Sequence, residues 1–277
     1  MLPNFLFIGP AKSASTWIFE VLKSHPEVFV PPCKDIYFFD KYYNKGLDWY
    51  SAHFMATPGK TAVGELSHDY LFSVEACERI GHDLAKVKLI LCLRNPIDRL
   101  YSDYLFTRKH GLVSGDVFDA LKIHPEIYGH SCYYQPVRMY VDRFGRDRVL
   151  ILDFQEIREK PEKVVEDLYR FLNVDPSFKP PASSEVVLPA SYPRNRVLAL
   201  VSKKLAQLIR DMGFPNLLGR IKHSPLVNRL LYKPYTKTSY PRLSPEDRWH
   251  LYGLLKEDIA SLEKFLDVRF ESWHVKK

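Results

Sequence analysis

The chain has 277 residues, of which 46% are hydrophobic, which is enough for the core of one large domain; two domains are the weaker alternative. The formal net charge of +7 suits anionic ligands. No apolar run reaches about eighteen residues, which argues against stable membrane insertion, and no charged-then-apolar leader is present, which argues against a signal peptide. Four cysteines without CxxC spacing favour free thiols in a reducing compartment, so we expect a cytoplasmic protein.

Strands alternate with helices along most of the chain, which predicts an α/β fold with a central parallel sheet and flanking helices. The predicted strands cover residues 4–8, 28–30, 61–66, 87–93 and 148–152. The predicted helices cover residues 15–24, 72–83, 96–109, 117–123, 133–144, 161–172, 195–211 and 245–266, with helical or irregular structure over 36–55. We expect a single domain over 1–277, with an α/β core at 1–175 and a proline-rich lid followed by a helical C-terminal cover at 176–277.

The first predicted strand leads into a loop of small and hydroxyl-bearing residues. The loop carries Lys12, then Ser13, Ser15 and Thr16 at the beginning of an amphipathic helix. Such a junction presents backbone N–H groups, the positive end of a helix and an ammonium to one anion. The Gly-x4-Gly-Lys-Ser/Thr spacing of nucleoside-triphosphate enzymes is absent. The pattern therefore predicts a phosphate site of a different kind.

A second anion site is predicted where the strand at 87–93 ends. Arg94 follows this strand, and Pro96 suits the first turn of a helix that carries Ser102 on the side facing the strand end. An arginine binds a phosphate without a metal, whereas a triphosphate enzyme usually places a magnesium-binding Asp after a later strand. Two anion sites and no metal-binding carboxylate predict a doubly phosphorylated nucleotide.

Two motifs resemble those of one enzyme family. Residues 12–17 (KSASTW) resemble the 5′-phosphosulfate loop of sulfotransferases that use 3′-phosphoadenosine 5′-phosphosulfate (PAPS), and residues 91–104 (LCLRNPIDRLYSDY) resemble their 3′-phosphate motif. Further segments are similar to the branch with heparan sulfate sulfotransferases and many bacterial relatives: 34–39, 64–71, 146–154, 171–174 and 262–273. The resemblance implies a P-loop-like fold and in-line transfer of a sulfuryl group to a hydroxyl or amine of a small-molecule or glycan acceptor, with 3′-phosphoadenosine 5′-phosphate (PAP) as product.

The resemblance also implies roles at the donor site. Lys12 would neutralise charge on the departing phosphate oxygen, the loop amides would hold the 5′-phosphate, and Arg94 with Ser102 would bind the 3′-phosphate. The residues expected to bind the donor are Lys12, Ser13, Ala14, Ser15, Thr16, Trp17, Arg94 and Ser102. Two alternatives stay open, since Ser13 or Ser15 can cap the helix and Trp17 can stack on the adenine or pack in the core.

Two side chains are candidates for the base that takes the acceptor's proton. Asp35 aligns with the carboxylate, usually Glu, that is the base in heparan-type enzymes. His68 stands where those relatives usually have proline, but residues 66–68 resemble an element of cytosolic small-molecule sulfotransferases whose histidine is the base. A histidine is better tuned to neutral pH. Both alternatives stay open, as do a helix cap at Asp35 and a structural role for His68.

The remaining features bear on partners and on other functions. The segment from Arg194 to Arg248 contains twelve Lys and Arg residues but only three acidic residues. This excess of positive charge suits either a solvated surface or a rim for anionic ligands. Nucleic acid is not an expected partner, a catalytic metal is not expected because no HExxH-type spacing occurs, and the oligomeric state stays open. Candidates for an acceptor cleft are Phe106, His130, Tyr133 and Tyr134. The alternative functions are a nucleotide-dependent phosphotransferase and a non-catalytic nucleotide- or glycan-binding protein of the same fold.

Overall fold

The computed structural model describes residues 1–54, 59–181, 191–193, 232–234 and 242–275. The predicted helix at 195–211 and most of the basic region between Arg194 and Arg248 lie outside the described residues. Among the helices that the structure describes, none is both long and apolar enough to cross a membrane.

A five-stranded parallel sheet with the order β2-β3-β1-β4-β5 forms the centre of the fold. Its strands are β1 (Phe5–Gly9), β2 (Val28–Phe29), β3 (Ala62–Leu66), β4 (Lys88–Leu93) and β5 (Val149–Asp153). A separate antiparallel pair consists of β6 (Ser191–Pro193) and β7 (Tyr232–Pro234). The predicted parallel sheet is confirmed, and each of its five strands lies within a residue or two of its predicted position.

Ten α-helices occur in the described part of the chain. They are α1 (Ser15–Ser24), α2 (Gly46–Ser51), α3 (Val74–Asp83), α4 (Pro96–Lys109), α5 (Val117–Ile123), α6 (Glu126–Gly129), α7 (Tyr134–Phe144), α8 (Phe154–Glu159), α9 (Pro161–Leu172) and α10 (Pro245–Leu266). Local chemistry fixes several of the starting points, because Asn95 and Ser244 cap α4 and α10 and a proline follows each cap. The short helices α6 and α8 are not predicted by the sequence.

Side chains of the sheet pack into a hydrophobic cluster on each face. Along β1, Leu6 and Ile8 join the cluster that contains α3, α4, α7 and α10. Phe5 and Phe7 join the opposite cluster, which contains α1 and α9. This alternation buries all of β1, as expected for a parallel strand covered on both sides. The long helix α10 buries four apolar side chains and contacts α4 and α7, and it coincides with the helix predicted at 245–266.

Gly9 ends β1 where the chain approaches the end of β3. Its φ is +126°, and a Cβ atom built there would lie 2.2 Å from the carbonyl oxygen of His68. Gly9→Ala is therefore expected to lower the free energy of unfolding by at least about 1–3 kcal/mol, measured by chemical denaturation. Gly253→Ala is the control, because a Cβ atom built at this helical glycine would meet no described atom within 4 Å outside the backbone of its own helix, and alanine favours helix. Equal stability of the two variants would contradict the close approach.

Candidate active site

The loop between β1 and α1 has the backbone geometry of an anion cradle. Lys12 and Ala14 both adopt the left-handed conformation, with φ of 67° and 58°. Ala14 is the N-cap residue of α1, and no side-chain hydrogen bond caps this helix, so neither Ser13 nor Ser15 is the cap. Turns of this kind direct backbone N–H groups toward one concave side, where an anion can accept several of them.

Ser13 provides a direct test of whether the loop suits a phosphate. Its side chain is fully buried, and its Oγ has no hydrogen-bond partner among the described residues. Leaving a buried hydroxyl without a partner costs on the order of 1–3 kcal/mol, so native proteins rarely do so without a reason. A phosphate oxygen bound in the loop would satisfy this hydroxyl, and the residues present therefore fit the predicted ligand.

Lys12 carries a positive charge in an unfavourable position. Its Nζ lies 3.3 Å from the centroid of the Phe106 ring. Burial, together with the nearby cations Arg99, Lys109 and Arg94, lowers the pKa of Lys12 to about 8 against the opposing charge of Asp103. Since an anion beside Nζ would relieve both effects, this ammonium is poised to gain from a negatively charged ligand.

The second predicted anion site touches the first. Arg94 Nη1 donates to the carbonyl oxygen of Lys12 at 3.0 Å, and its guanidinium carbon lies 4.7 Å from the centroid of the Phe154 ring. Tyr133 donates from its hydroxyl to the carbonyl oxygen of Arg94 at 3.1 Å. Ser102 lies half-buried on α4. Arg94 thus supports the loop that carries Lys12, while a direct role of Arg94 and Ser102 toward a 3′-phosphate stays a prediction.

A small cavity of about 60 Å³ opens beside Arg94, at the carboxyl ends of β4 and β5. Its lining consists of Arg94, Asn95, Asp98, Asp153, Phe154, Gln155, Arg158, Ser272 and Trp273. The sequence did not single out Phe154 or Arg158, although Phe154 follows β5 directly, as Arg94 follows β4. The C-terminal segment closes this cavity, because Asn95 Nδ2 donates to the carbonyl oxygen of Ser272 at 2.9 Å.

The two candidate bases, Asp35 and His68, are in direct contact. Asp35 Oδ1 lies 2.6 Å from His68 Nδ1. Burial alone would lower the pKa of His68, but the charge and hydrogen bond of Asp35, together with the charge of Asp69, outweigh it and leave the pKa above its ordinary value. The backbone of Asp35 is left-handed, with φ of 66°, and the next helical turn begins at Phe38. Asp35 is therefore not a helix cap, and the pair has the geometry of an imidazole oriented by a carboxylate.

The other ring nitrogen of His68 also has polar neighbours. His68 Nε2 lies 3.1 Å from the hydroxyl of Tyr37 and 3.3 Å from Asp69 Oδ1. The sequence did not identify Tyr37 as a site residue. Tyr37 lies two residues after Asp35, so its side chain can reach the site only if this segment is a loop. The sequence predicts no more than helical or irregular structure over 36–55, and it therefore does not place Tyr37.

Lys34 joins the donor loop to the candidate base. Its Nζ donates to Thr16 Oγ1 at 2.7 Å, at the beginning of α1. The next residue, Asp35, donates its backbone N–H to the carbonyl oxygen of Leu66 at 2.7 Å, at the end of β3. The Asp35–His68 pair is thus connected to the phosphate loop through adjacent residues of one segment.

A buried carboxylate lies beneath this segment. Glu65 Oε1 accepts from the hydroxyls of Tyr50 and Tyr70 at 2.9 and 2.8 Å, and Glu65 Oε2 accepts from Ser67 Oγ at 2.7 Å. Burial raises the pKa of Glu65 to about 7, although the three hydroxyl donors oppose this. Ser67 Oγ in turn accepts the backbone N–H of Tyr37 at 3.1 Å, so Glu65 positions the loop beside His68.

The remaining sequence candidates lie at different depths. Trp17 is buried in the cluster around α1, and its contact with an adenine stays a prediction. Tyr133 is fully buried and belongs to the core. Phe106 is exposed beside Lys12, whereas His130 is stacked on Phe72 with ring centroids 4.3 Å apart. Phe106 is therefore a cleft candidate whose ring contacts Lys12 directly.

The fold and the site together define an α/β protein in which a loop with the backbone geometry of an anion cradle lies at the carboxyl end of the central strand, where open parallel sheets bind ligands. The family model described as the sulfotransferase domain matches residues 2–192. The chain belongs to the sulfotransferase family, as the two phosphate motifs predicted.

Curated relatives agree with this family. The membrane-associated sulfotransferase kil1 of Dictyostelium discoideum is 35% identical over 109 residues, which cover 38% of this chain and 23% of the relative. The bifunctional heparan sulfate N-deacetylase/N-sulfotransferase 4 of Mus musculus is 29% identical over 199 residues, which cover 64% of this chain and 23% of the relative. The chain thus spans less than a quarter of the length of these relatives.

Solved structures share the fold. A sulfotransferase from Alicyclobacillus acidocaldarius superposes with a TM-score of 0.72 at 23% identity, covering 99% of both chains. A mouse sulfotransferase complexed with PAP superposes with a TM-score of 0.54 at 14% identity, covering 96% of this chain and 88% of that one. At these identities the likeness establishes the P-loop-like α/β fold.

Proposed function

We propose that this chain transfers a sulfuryl group from PAPS to a hydroxyl or amine of a small-molecule or carbohydrate acceptor. The observation that carries the proposal is the hydrogen bond from Lys34 to Thr16, which joins the phosphate loop to the segment that bears Asp35. A donor loop and a histidine–carboxylate pair are the two parts that transfer to a hydroxyl requires. Family membership and the mouse relative complexed with PAP support PAPS as the donor and PAP as the product.

The proposed reaction is an in-line displacement at sulfur. The acceptor oxygen or nitrogen forms a bond to sulfur while the bond from sulfur to the 5′-phosphate oxygen breaks. Lys12 would neutralise the charge that develops on that oxygen, and the amides of residues 13–16 with the buried Ser13 hydroxyl would hold the phosphate. His68, oriented by Asp35, would accept the acceptor's proton.

Three binding and activity measurements separate this function from its alternatives. Calorimetric binding of PAP supports a sulfotransferase or a non-catalytic binder, and transfer of radiolabelled sulfate from PAPS supports the sulfotransferase alone. Binding of ATP–magnesium with loss of activity in EDTA would instead indicate a phosphotransferase, which the missing Gly-Lys-Ser/Thr disfavours. Failure to bind PAP would overturn the proposal.

The acceptor and the compartment are proposed at a coarser level. Two curated relatives are a membrane-associated sulfotransferase and a heparan sulfate N-sulfotransferase, which supports screening glycan amines as well as phenolic hydroxyls. The four cysteines are free thiols, and Cys33, Cys77 and Cys92 are buried. Free thiols support a reducing compartment, and we propose the cytoplasm.

Arg94→Ala tests whether Arg94 binds the 3′-phosphate of the donor. If Arg94 binds that group, its loss should weaken PAP binding by about ten- to a hundredfold, the scale of a charged hydrogen bond of about 1.5–3 kcal/mol. Because Arg94 also supports the carbonyl of Lys12, calorimetry should compare PAP with adenosine 5′-monophosphate, which lacks the 3′-phosphate. We expect the preference for PAP to shrink. An equal loss for both nucleotides would mean that Arg94 only supports the loop.

A further inference from the structure

Tyr37 is held in one position from several sides. Its backbone is left-handed, with φ of 56°, a rare conformation for a bulky residue. Its backbone N–H donates to Ser67 Oγ, which itself donates to Glu65 Oε2, and Lys41 Nζ lies 3.7 Å from the centroid of the Tyr37 ring. Only 8% of Tyr37 is exposed. The hydrogen bond of its N–H thus holds the backbone, and burial with the Lys41 contact restrains the ring.

The hydroxyl of Tyr37 occupies the nitrogen of His68 that a base would use. Asp35 Oδ1, at 2.6 Å from His68 Nδ1, can only accept a hydrogen bond as a carboxylate. In the neutral imidazole, the hydrogen therefore lies on Nδ1 and the lone pair on Nε2. The Tyr37 hydroxyl, 3.1 Å from Nε2, donates to that lone pair. A proton that approaches His68 Nε2 therefore meets this hydroxyl, which lies closer to the nitrogen than Asp69 Oδ1 at 3.3 Å.

We propose that Tyr37 relays the acceptor's proton to His68, and this proposal rests on the proposed function. The O–H or N–H bond of the acceptor breaks, and its hydrogen binds to the Tyr37 oxygen, while the Tyr37 hydrogen moves to His68 Nε2. The electron pair of the acceptor atom forms the bond to sulfur, and the pair of the broken S–O bond leaves with the 5′-phosphate. Tyr37 is neutral before and after the step.

The surroundings of His68 suit the end of this relay. The imidazolium that forms has Asp35 beside Nδ1 and Asp69 Oδ1 at 3.3 Å from Nε2. Two carboxylates thus stabilise the charged ring, one at each nitrogen. Asp69 in turn forms an ion pair with Lys41, at 2.6 Å between Nζ and Oδ2, so the same lysine holds both Asp69 and the Tyr37 ring.

Tyr37→Phe tests the relay, because it removes one oxygen atom and keeps the ring. We expect the single-turnover rate of sulfuryl transfer from labelled PAPS to fall about tenfold or more, with the affinity for PAP within about twofold of wild type. The probe acceptors are p-nitrophenol and de-N-sulfated heparin. In mixed light and heavy water, the rate of the wild-type protein should follow a curved proton inventory, since two hydrogens move, and the variant a linear one.

Tyr42→Phe is the matched control, since it lies on the same segment and its ring contacts Trp49 rather than His68. It should leave rate and inventory unchanged. A Tyr37→Phe rate within twofold of wild type would overturn the relay, as would an equal loss of PAP affinity, which would make Tyr37 structural. Wild-type protein that fails to bind PAP would instead refute the proposed function.

Discussion

Replacing His68 with alanine is expected to slow sulfuryl transfer by about 100- to 10,000-fold, the usual contribution of a general base. The reason is the contact of His68 Nδ1 with Asp35 at 2.6 Å, which orients the imidazole as a base. In the described part of the chain, the polar neighbours of the His68 ring nitrogens are Asp35, Tyr37 and Asp69 rather than residues of the loop between β1 and α1, so the affinity for PAP should survive. The measurements are single-turnover transfer from labelled PAPS and calorimetric titration with PAP.

The role of His68 also predicts the direction in which the rate changes with pH. The pKa of His68 lies above its ordinary value, and a base must be deprotonated to act, so the rate should fall as the pH drops through that raised pKa. Asp35→Asn removes the charge that raises the pKa of His68, so this limb should move to lower pH with a smaller loss of rate. In His68→Ala the limb should disappear.

Two comparisons decide whether His68 or Asp35 is the base. His82→Ala is the control for replacing a histidine, because His82 is exposed at the end of α3 and pairs with Asp83. It should retain the wild-type rate. An inactive Asp35→Asn variant beside an active His68→Ala variant would assign the base to Asp35 and leave His68 a structural role.

The parts of the fold with local signals were predictable from the sequence. The helices α4 and α9 begin at prolines, and the strand β4 is a continuous apolar run that ends at Arg94, so their bounds follow from neighbouring residues. The helices α6 and α8 have only four and six residues, too few for a helical period to emerge. Their existence depends on packing against α4 and β5, which local pattern does not contain.

Only part of the candidate site was predictable from the sequence, again the part with local signals. The Lys12 loop follows from its own residues, because the strand, the small-residue turn and the helix are contiguous. The contact between Asp35 and His68 joins residues 33 positions apart, and it depends on the hydrogen bond from the Asp35 N–H to the Leu66 carbonyl. Tyr37 lies beside His68 in a segment where Asp35 and Tyr37 both adopt left-handed backbone angles, and this conformation is rare for a bulky residue such as Tyr37.

Replacing Lys12 with alanine is expected to lower the rate of sulfuryl transfer by about a hundredfold or more, the scale of losing one donor to a developing oxyanion. Charge builds on the bridging phosphate oxygen as the S–O bond breaks, so Lys12 should act more in the transition state than in the bound state. The affinity for PAP should therefore fall less than the rate. Lys23→Ala is the control, since Lys23 lies exposed at the far end of α1.

The lowered pKa of Lys12 predicts how PAP binding depends on pH. With a pKa of about 8, the free protein loses the Lys12 charge as the pH rises through that value, so PAP binding should weaken above about pH 8. Burial also lowers the pKa of Lys109 to about 8, and Lys12→Ala separates the two lysines. We expect the variant to lose most of the pH dependence of binding. A variant with a near-wild-type rate would show that Lys12 does not stabilise the leaving group. Full pH dependence of PAP binding in the variant would show that Lys12 is not the group whose charge is lost above pH 8.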